Sequence, residues 1–355
     1  MQPLETPLYT IYFNAGCYGF LADLLHKETY SKIFVLTDSN TYQYCLPAFL
    51  QEMATDVAIE IIEIEPSEEN KTIETCIQVW EVLAELGADR KSIMINLGGG
   101  VVTDLGGFVA STFKRGIDFI NVPTSLLAMV DASIGGKTGV DLGSLKNQIG
   151  VINNPKAVLI DTAFLETLPQ EELRSGLAEM LKHGLIADKS YWNNFIDMAG
   201  LTTDDLGELI RQSIIIKDTI VQKDPHEKGL RKILNFGHTM GHAIESYFLG
   251  HSVKKTLLHG EAVAIGMILE AFFSLEKKLI SAGEYIEIKS VIGSLFDKIS
   301  FTPDDINTII GLLVHDKKNE FGEVNFVLLE GIGKAVINQH IENELIYKAF
   351  DDYRE

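Results

Sequence analysis

At 355 residues, 46% of them hydrophobic and 23% charged, the chain has an ordinary globular composition and is too long for one ordinary core, so two domains are expected. A formal charge of −20 excludes nucleic acid as the main ligand, because a phosphate backbone needs a basic footprint. No stretch approaches the roughly 18 uninterrupted apolar residues of a membrane span, and the opening MQPLETPLYT lacks the basic and apolar regions of a secretory signal, which makes the cytoplasm the expected compartment.

The first half alternates strands and helices. Residues 32–37 (KIFVLT) read as a strand running into the polar turn Asp38-Ser39-Asn40, and residues 57–63 form a second, less cleanly alternating run. Residues 72–86 have helical spacing, with Ile73, Ile77, Trp80 and Leu83/Ala84 on one stripe and a stop at Gly87. Residues 92–97 (SIMINL) read as a buried strand emptying into Gly98-Gly99-Gly100, and residues 118–122 as another ending at Pro123. This rhythm implies a parallel sheet covered by helices. Past residue 165 the periodicity turns helical, from a start at Thr167-Leu168-Pro169 to about residue 315. A closing hairpin is expected over 323–329 and 334–337, and a last short helix around Tyr347 and Phe350. Cys17, Cys45 and Cys76 lie far apart without C-x-x-C spacing, so neither a disulfide framework nor a cysteine metal site is indicated.

Two glycine-rich segments carry candidate chemistry. GGGVVTDLGGF (98–108) follows a strand and opens a helix, where slim backbone and a helix N-terminus favour a diphosphate. Gly98 and Gly100 fit the first positions of a dinucleotide-binding fingerprint, but Thr103 stands at the third. The plainer reading is a turn plus close helix packing through Gly106 and Gly107. In DASIGGKTGVDLGSLKNQIG (131–150), Gly136-Lys137-Thr138 ends like a P-loop, yet Asp131 occupies the first glycine position and would face the phosphates. The segment reads as a flexible loop presenting Lys137, Lys146 and Asn147 to an anion.

Histidines gather further on. His238 and His242 are four apart on one helical face, and His259-Gly260-Glu261 follows. Spacing points to His238 and His242 as a metal-ligand pair completed by Glu245 or Glu261. The plainer reading is two partly buried, hydrogen-bonded imidazoles, with the slim Gly237, Gly241 and Gly260 weighing against it. On the helix after Pro169, Leu173, Leu177, Met180 and Leu181 form the apolar stripe, while Glu179, Lys182 and His183 share another face. That set is either an exposed ion pair or a carboxylate ligand beside a cation.

Six ordered blocks together resemble the 3-dehydroquinate synthase family of sugar phosphate cyclases: 98–108, PTSLLAMVDASIGGKTGVD (123–141), KNQIG (146–150), SGLAEMLKHGLI (175–186), GLRKILNFGHTMGHAIE (229–245) and HGEAVAIGM (259–267). The resemblance implies an α/β, Rossmann-like NAD-binding domain over 1–165 and a mostly α-helical metal- and substrate-binding domain over 166–355. It implies Glu179, His238 and His259 as ligands of a divalent metal, zinc or cobalt, with His242 touching substrate instead. For NAD it implies Asp38, Glu68, Lys71, Gly99, Gly100, Asp104, Thr124 and Ser125, with Lys137 and Lys146 reaching both cofactor and substrate. For substrate it implies Arg115, Asp131, Lys137, Lys146, Asn147, Lys182, Lys217, Arg231 and Asn235, and one of Lys317 or Lys318. A homodimer is the implied assembly. The chain departs from the family pattern at Thr103 and Ser67, where glycine is usual, and at Asp224-Pro225-His226.

The implied substrate is 3-deoxy-arabino-heptulosonate 7-phosphate, whose two anionic groups, carboxylate and phosphate, would neutralise a cationic pocket in an acidic protein. In the implied chemistry NAD takes hydride from a ring C–H whose oxygen the metal polarises. Phosphate then leaves by β-elimination, hydride returns, the ring opens and an aldol addition closes the carbocycle. Three other readings share parts of this pattern. A metal-dependent NAD polyol dehydrogenase would not need so many cations. A sister cyclase would keep cofactor and metal but alter pocket residues such as Asn235 or Lys217. A non-catalytic NAD-binding sensor would leave the intact ligand set without a purpose.

Overall fold

The computed structural model describes residues 1–143, 145–197, 203–251, 254–313 and 324–355. Lys317, Lys318 and the expected hairpin start at Glu323 lie outside them. The chain forms two compact units, Met1–Pro169 and Gln170–Glu355, so the boundary falls four residues past the expected 165.

The first unit runs β1 (Leu4–Glu5), β2 (Thr10–Phe13), α1 (Ala15–Lys27), β3 (Ile33–Asp38), α2 (Ser39–Tyr44), α3 (Leu46–Glu52), β4 (Ile59–Ile64), α4 (Ile73–Glu85), β5 (Ile93–Gly98), α5 (Gly100–Thr112), β6 (Asp118–Pro123), β7 (Lys137–Leu142), β8 (Leu145–Ile152) and β9 (Ala157–Ile160). Its main sheet has the order β1-β2-β9-β6-β5-β3-β4, parallel except for the β1–β2 pair. The expected strands are present, shifted by a residue or two at their ends. β3 and β5 are buried along nearly their whole length, as strands covered on both faces must be. β4 is an edge strand whose residues 59–61 are all half-buried, which accounts for the poor alternation, while residues 62–64 alternate buried, exposed, buried.

Two expectations for this unit fail. The buried stripe of α4 is Cys76, Val79 and Leu83, flanked by Ile73 and Trp80, whereas Ile77 is 45% exposed. Ile77 sits one residue, about 100°, off that stripe. Nor are the described residues of 131–150 a flexible loop. Asp131 lies within a π-helical turn (Ala128–Ala132), and β7 and β8 pair as an antiparallel ribbon. Gly139 and Gly150 face each other across it so closely that a Cβ on Gly139 would lie 2.4 Å from the Ile149 carbonyl oxygen. Thr138 therefore continues a strand instead of opening a helix, and the P-loop reading is excluded.

The second unit runs α6 (Gln170–Ala187), α7 (Lys189–Trp192), α8 (Thr203–Lys223), α9 (His238–Leu249), α10 (His259–Glu276), α11 (Ala282–Leu295), α12 (Pro303–Leu312), β10 (Phe326–Leu329), β11 (Ala335–Gln339) and α13 (Asn343–Arg354). The final helix and the hairpin turning at Gly331 and Gly333 match expectation. α6 does not have one apolar stripe and one polar face. Every residue from Ser175 to Ile186 is buried, because α8 and α10 pack against it and α7 follows directly. All three cysteines are buried free thiols. Among the described residues no helix is long and apolar enough to cross a membrane.

Candidate active site

The expected site residues divide into one set in each unit. In the first unit, Asp38 ends β3 and caps α2, its Oδ1 accepting the Thr41 N–H at 2.8 Å. Such caps contribute about 1 kcal/mol. Gly99 caps α5 without a side chain, and a Cβ there would come to 3.4 Å from Ser125 Oγ. Thr124, buried, donates its N–H to the Gly98 carbonyl, which fastens the chain after β6 to the glycine turn. Thr103 does not crowd that turn. It is buried, and its hydroxyl bonds back to the carbonyls of Gly99 and Gly100 at 3.2 Å each. Gly106 and Gly107 serve packing: a Cβ on Gly106 would lie 2.1 Å from Asn96 Oδ1, and one on Gly107 2.5 Å from Thr138 Cγ2.

A charged network lies on the same unit. Lys71, 3% exposed, donates to Asp104 Oδ2 and to Asn147 Oδ1, both at 2.7 Å. Lys146 reaches Glu68 Oε1 at 3.0 Å and Asp141 Oδ2 at 3.9 Å. The Asn147 N–H donates to Asp141 Oδ1. Burial opposes the Lys71 charge, but Asp104 and Glu68 outweigh it and hold the ammonium above its ordinary pKa. Burial pushes the Asp104 and Asp141 carboxyls up, against the pull of Lys71. These lysines are thus already matched by local acids. Asp141 was missed by the sequence reading because it became visible only once β7 and β8 were paired. Lys137 opens β7 and is exposed, and Arg115 follows α5 at φ 72°.

In the second unit three helices bring a carboxylate and three imidazoles together. Glu179 is fully buried on α6. Its Oε1 lies 3.4 Å from His238 Nε2 and 3.7 Å from His259 Nε2, and receives no hydrogen bond of ordinary length. Its other oxygen pairs with Lys182, which is 1% exposed, so the exposed ion-pair reading is excluded. Burial raises the Glu179 carboxyl, but Lys182 and His238 overcome it and hold it well below the usual range. Ring nitrogens of His238, His242 and His259 all lie within 4.8 Å of one another. The far nitrogens are occupied: His238 Nδ1 is 3.2 Å from the Phe236 carbonyl and His259 Nδ1 is 3.1 Å from Glu245 Oε2. Burial disfavours charge on His259, yet Glu245 and Glu179 lift its pKa to about 10. The cluster as it stands calls for positive charge.

Glycines permit this convergence. A Cβ on Gly260 would lie 2.0 Å from the Ser175 carbonyl oxygen, and one on Gly266 2.0 Å from that of Gly237. α10 therefore touches α6 and the start of α9 backbone to backbone. Ser175 Oγ accepts the Gly260 N–H at 2.9 Å, and the buried Glu270 accepts the N–H groups of Gly237 and Met240 at the start of α9. Glu270 was also missed, although a lone acid deep in an apolar helix is the signal for it. Glu261, one of the two carboxylates that spacing offered as a ligand, instead accepts the Leu258 N–H at the start of α10. Lys217 is buried on α8, and Arg231 and Asn235 lie in the 3₁₀ segment Leu230–Asn235. Asp224 organises the turn before them by accepting N–H groups of Lys228, Gly229 and Arg231, so Asp224-Pro225-His226 is a built turn.

A lone buried carboxylate oxygen facing two imidazole nitrogens is a donor set suited to a borderline divalent metal. The family comparisons agree with this chemistry. Residues 61–175 match the family model for the 3-dehydroquinate synthase N-terminal domain, and residues 176–319 the one for its C-terminal domain. The 3-dehydroquinate synthase of Parabacteroides distasonis is 40% identical over 337 residues, covering 94% of this chain and 95% of that protein. Among solved structures, 2-deoxy-scyllo-inosose synthase complexed with carbaglucose-6-phosphate, NAD+ and Co2+ superposes with a TM-score of 0.86 at 25% identity, covering 97% of this chain and 96% of that one. The 2-epi-5-epi-valiolone synthase of Streptomyces hygroscopicus subsp. jinggangensis, with NAD+ and Zn2+ bound, gives 0.85 at 27% identity, covering 100% and 99%. With matches of this extent in both units, the chain belongs to the 3-dehydroquinate synthase family.

Proposed function

We propose that the chain converts 3-deoxy-arabino-heptulosonate 7-phosphate to 3-dehydroquinate and phosphate, using NAD and one divalent metal, zinc or cobalt. Family membership supports the reaction, and the observation that carries the site is Glu179 Oε1, buried without a hydrogen bond between two imidazole Nε2 atoms. Glu179, His238 and His259 would hold the metal. When bound, the metal supplies Lewis-acid polarisation of a substrate oxygen and NAD a reversible hydride acceptor.

The chain's own residues do the rest. Lys182 keeps Glu179 ionised and, with Lys217, Arg231 and Asn235, lines the binding site for the anionic substrate. His242, half-buried with its ring centroid 5.2 Å from that of His238, would be the group that carries a proton to or from the substrate. In the first unit the Gly99-Gly100 start of α5 receives the cofactor's diphosphate, with Thr124 and Ser125 beside it. Asp38 spends Oδ1 on its cap and keeps Oδ2 for a ribose hydroxyl. Glu68, Lys71 and Asp104 fix the floor of the cofactor site through their mutual ion pairs. Arg115, Asp131, Lys137, Lys146 and Asn147 contribute the remaining substrate contacts, and phosphate release requires their cations to shield the leaving dianion.

The cofactor is regenerated in each turnover, so phosphate release with trace NAD is the test. Many phosphates per NAD are expected. Consumption of one NAD per turnover, or no phosphate at all, would mean a dehydrogenase or another cyclase.

A further inference from the structure

We propose that Glu245 is a positioning residue of the metal centre, bracing His259 so that its Nε2 faces Glu179; this rests on the metal site proposed above. His259 is the first residue of α10, where no preceding helical turn restrains its ring. Glu245 lies on α9, seven residues or about two full turns past His238 and three residues past His242, so the same helix that presents two imidazoles also supplies the brace for the third. Its Oε2 stands 3.1 Å from His259 Nδ1, and the residue is 8% exposed.

A carboxylate can only accept, so Nδ1 carries a hydrogen towards Glu245, and Nε2, 3.7 Å from Glu179 Oε1, is the nitrogen left to give up its proton to a cation. His238 is oriented the same way, but by the neutral carbonyl of Phe236. The two imidazoles therefore differ: His259 has an anion behind it and is the stronger donor to a cation. Spacing alone had offered Glu245 as a direct ligand, whereas its contact is with the outer nitrogen of one.

The test titrates the metal-free chain with Zn2+ against a chromophoric chelator, without NAD or substrate. Glu245→Ala is expected to weaken zinc binding by about 10–100-fold. Glu245→Gln keeps an acceptor oxygen but loses the charge, and is expected to lose about tenfold, with a smaller fall in the unfolding temperature of the metal-free protein than Glu245→Ala shows. Wild-type zinc affinity in Glu245→Gln would overturn the proposal even if the alanine variant fails to fold. So would equal losses in both variants matched by an equal fall in metal-free unfolding temperature, which is what a purely structural role produces. A wild-type chain that takes up no zinc would instead remove the metal site itself.

Discussion

The two units hold their charged groups by different means. In the first, Lys71, Lys146, Glu68, Asp104 and Asp141 are fixed mainly by one another, on a turn, a helix and a ribbon that bring together side chains from distant parts of the sequence. In the second, Glu179, His238 and His259 are fixed by backbone: three helices meet where Gly260 and Gly266 let carbonyls of Ser175 and Gly237 approach. A metal site needs donor atoms set within a fraction of an ångström, and helices crossing at glycine provide that. A network of lysines and carboxylates can shift to receive an anion, and residues in a ribbon and turns suit that task.

Substitutions at the two kinds of backbone position sharpen this contrast, because they act with opposite signs. Gly266→Ala places a Cβ 2.0 Å from the Gly237 carbonyl oxygen and 2.8 Å from the Gly241 nitrogen. Overpacking of this sort costs about 1–3 kcal/mol, more than the ~1 kcal/mol alanine gains in helix propensity. The expected outcome is a lower unfolding temperature together with weaker zinc binding, since α9 must move off α10. An unchanged zinc affinity would show that backbone contact does not set the donor positions.

Ser67 is the smaller case. It precedes Glu68 at φ 88° and ψ 156°, a region suited to glycine. Ser67→Gly should raise stability by about 1 kcal/mol, after the entropy a glycine adds to the unfolded chain. Denaturant unfolding measures it. A loss of stability would mean the Ser67 hydroxyl contributes more than the strain costs, although the hydrogen bond it accepts from Asn70 Nδ2 is long at 3.5 Å.

Strands with near-continuous apolar runs, such as 93–97, and the glycine turn after them could be read directly, because burial on both faces leaves a plain signature. The helices of the second unit could be read as helices but not as buried ones. Glu179, Lys182 and His183 look like a polar face, and nothing in their spacing reveals that neighbours enclose them. The histidines were legible as a metal cluster, yet spacing favoured His238 with His242, since only neighbours on one helix are visible to it. Glu179 and His259 come from other helices, and their approach to His238 is a tertiary fact. The ribbon at 137–152 was hidden because its glycines read as loop, when they serve close strand approach.

Two ligand sets compete for the same place: Glu179 with His238 and His259, or the three imidazoles His238, His242 and His259. Metal content of the purified chain and two variants, after equilibration with zinc and removal of free ion, separates them. The account predicts one zinc per chain for the wild type and for His242→Ala, and little or none for Glu179→Gln. Zinc retained by Glu179→Gln and lost from His242→Ala would contradict it.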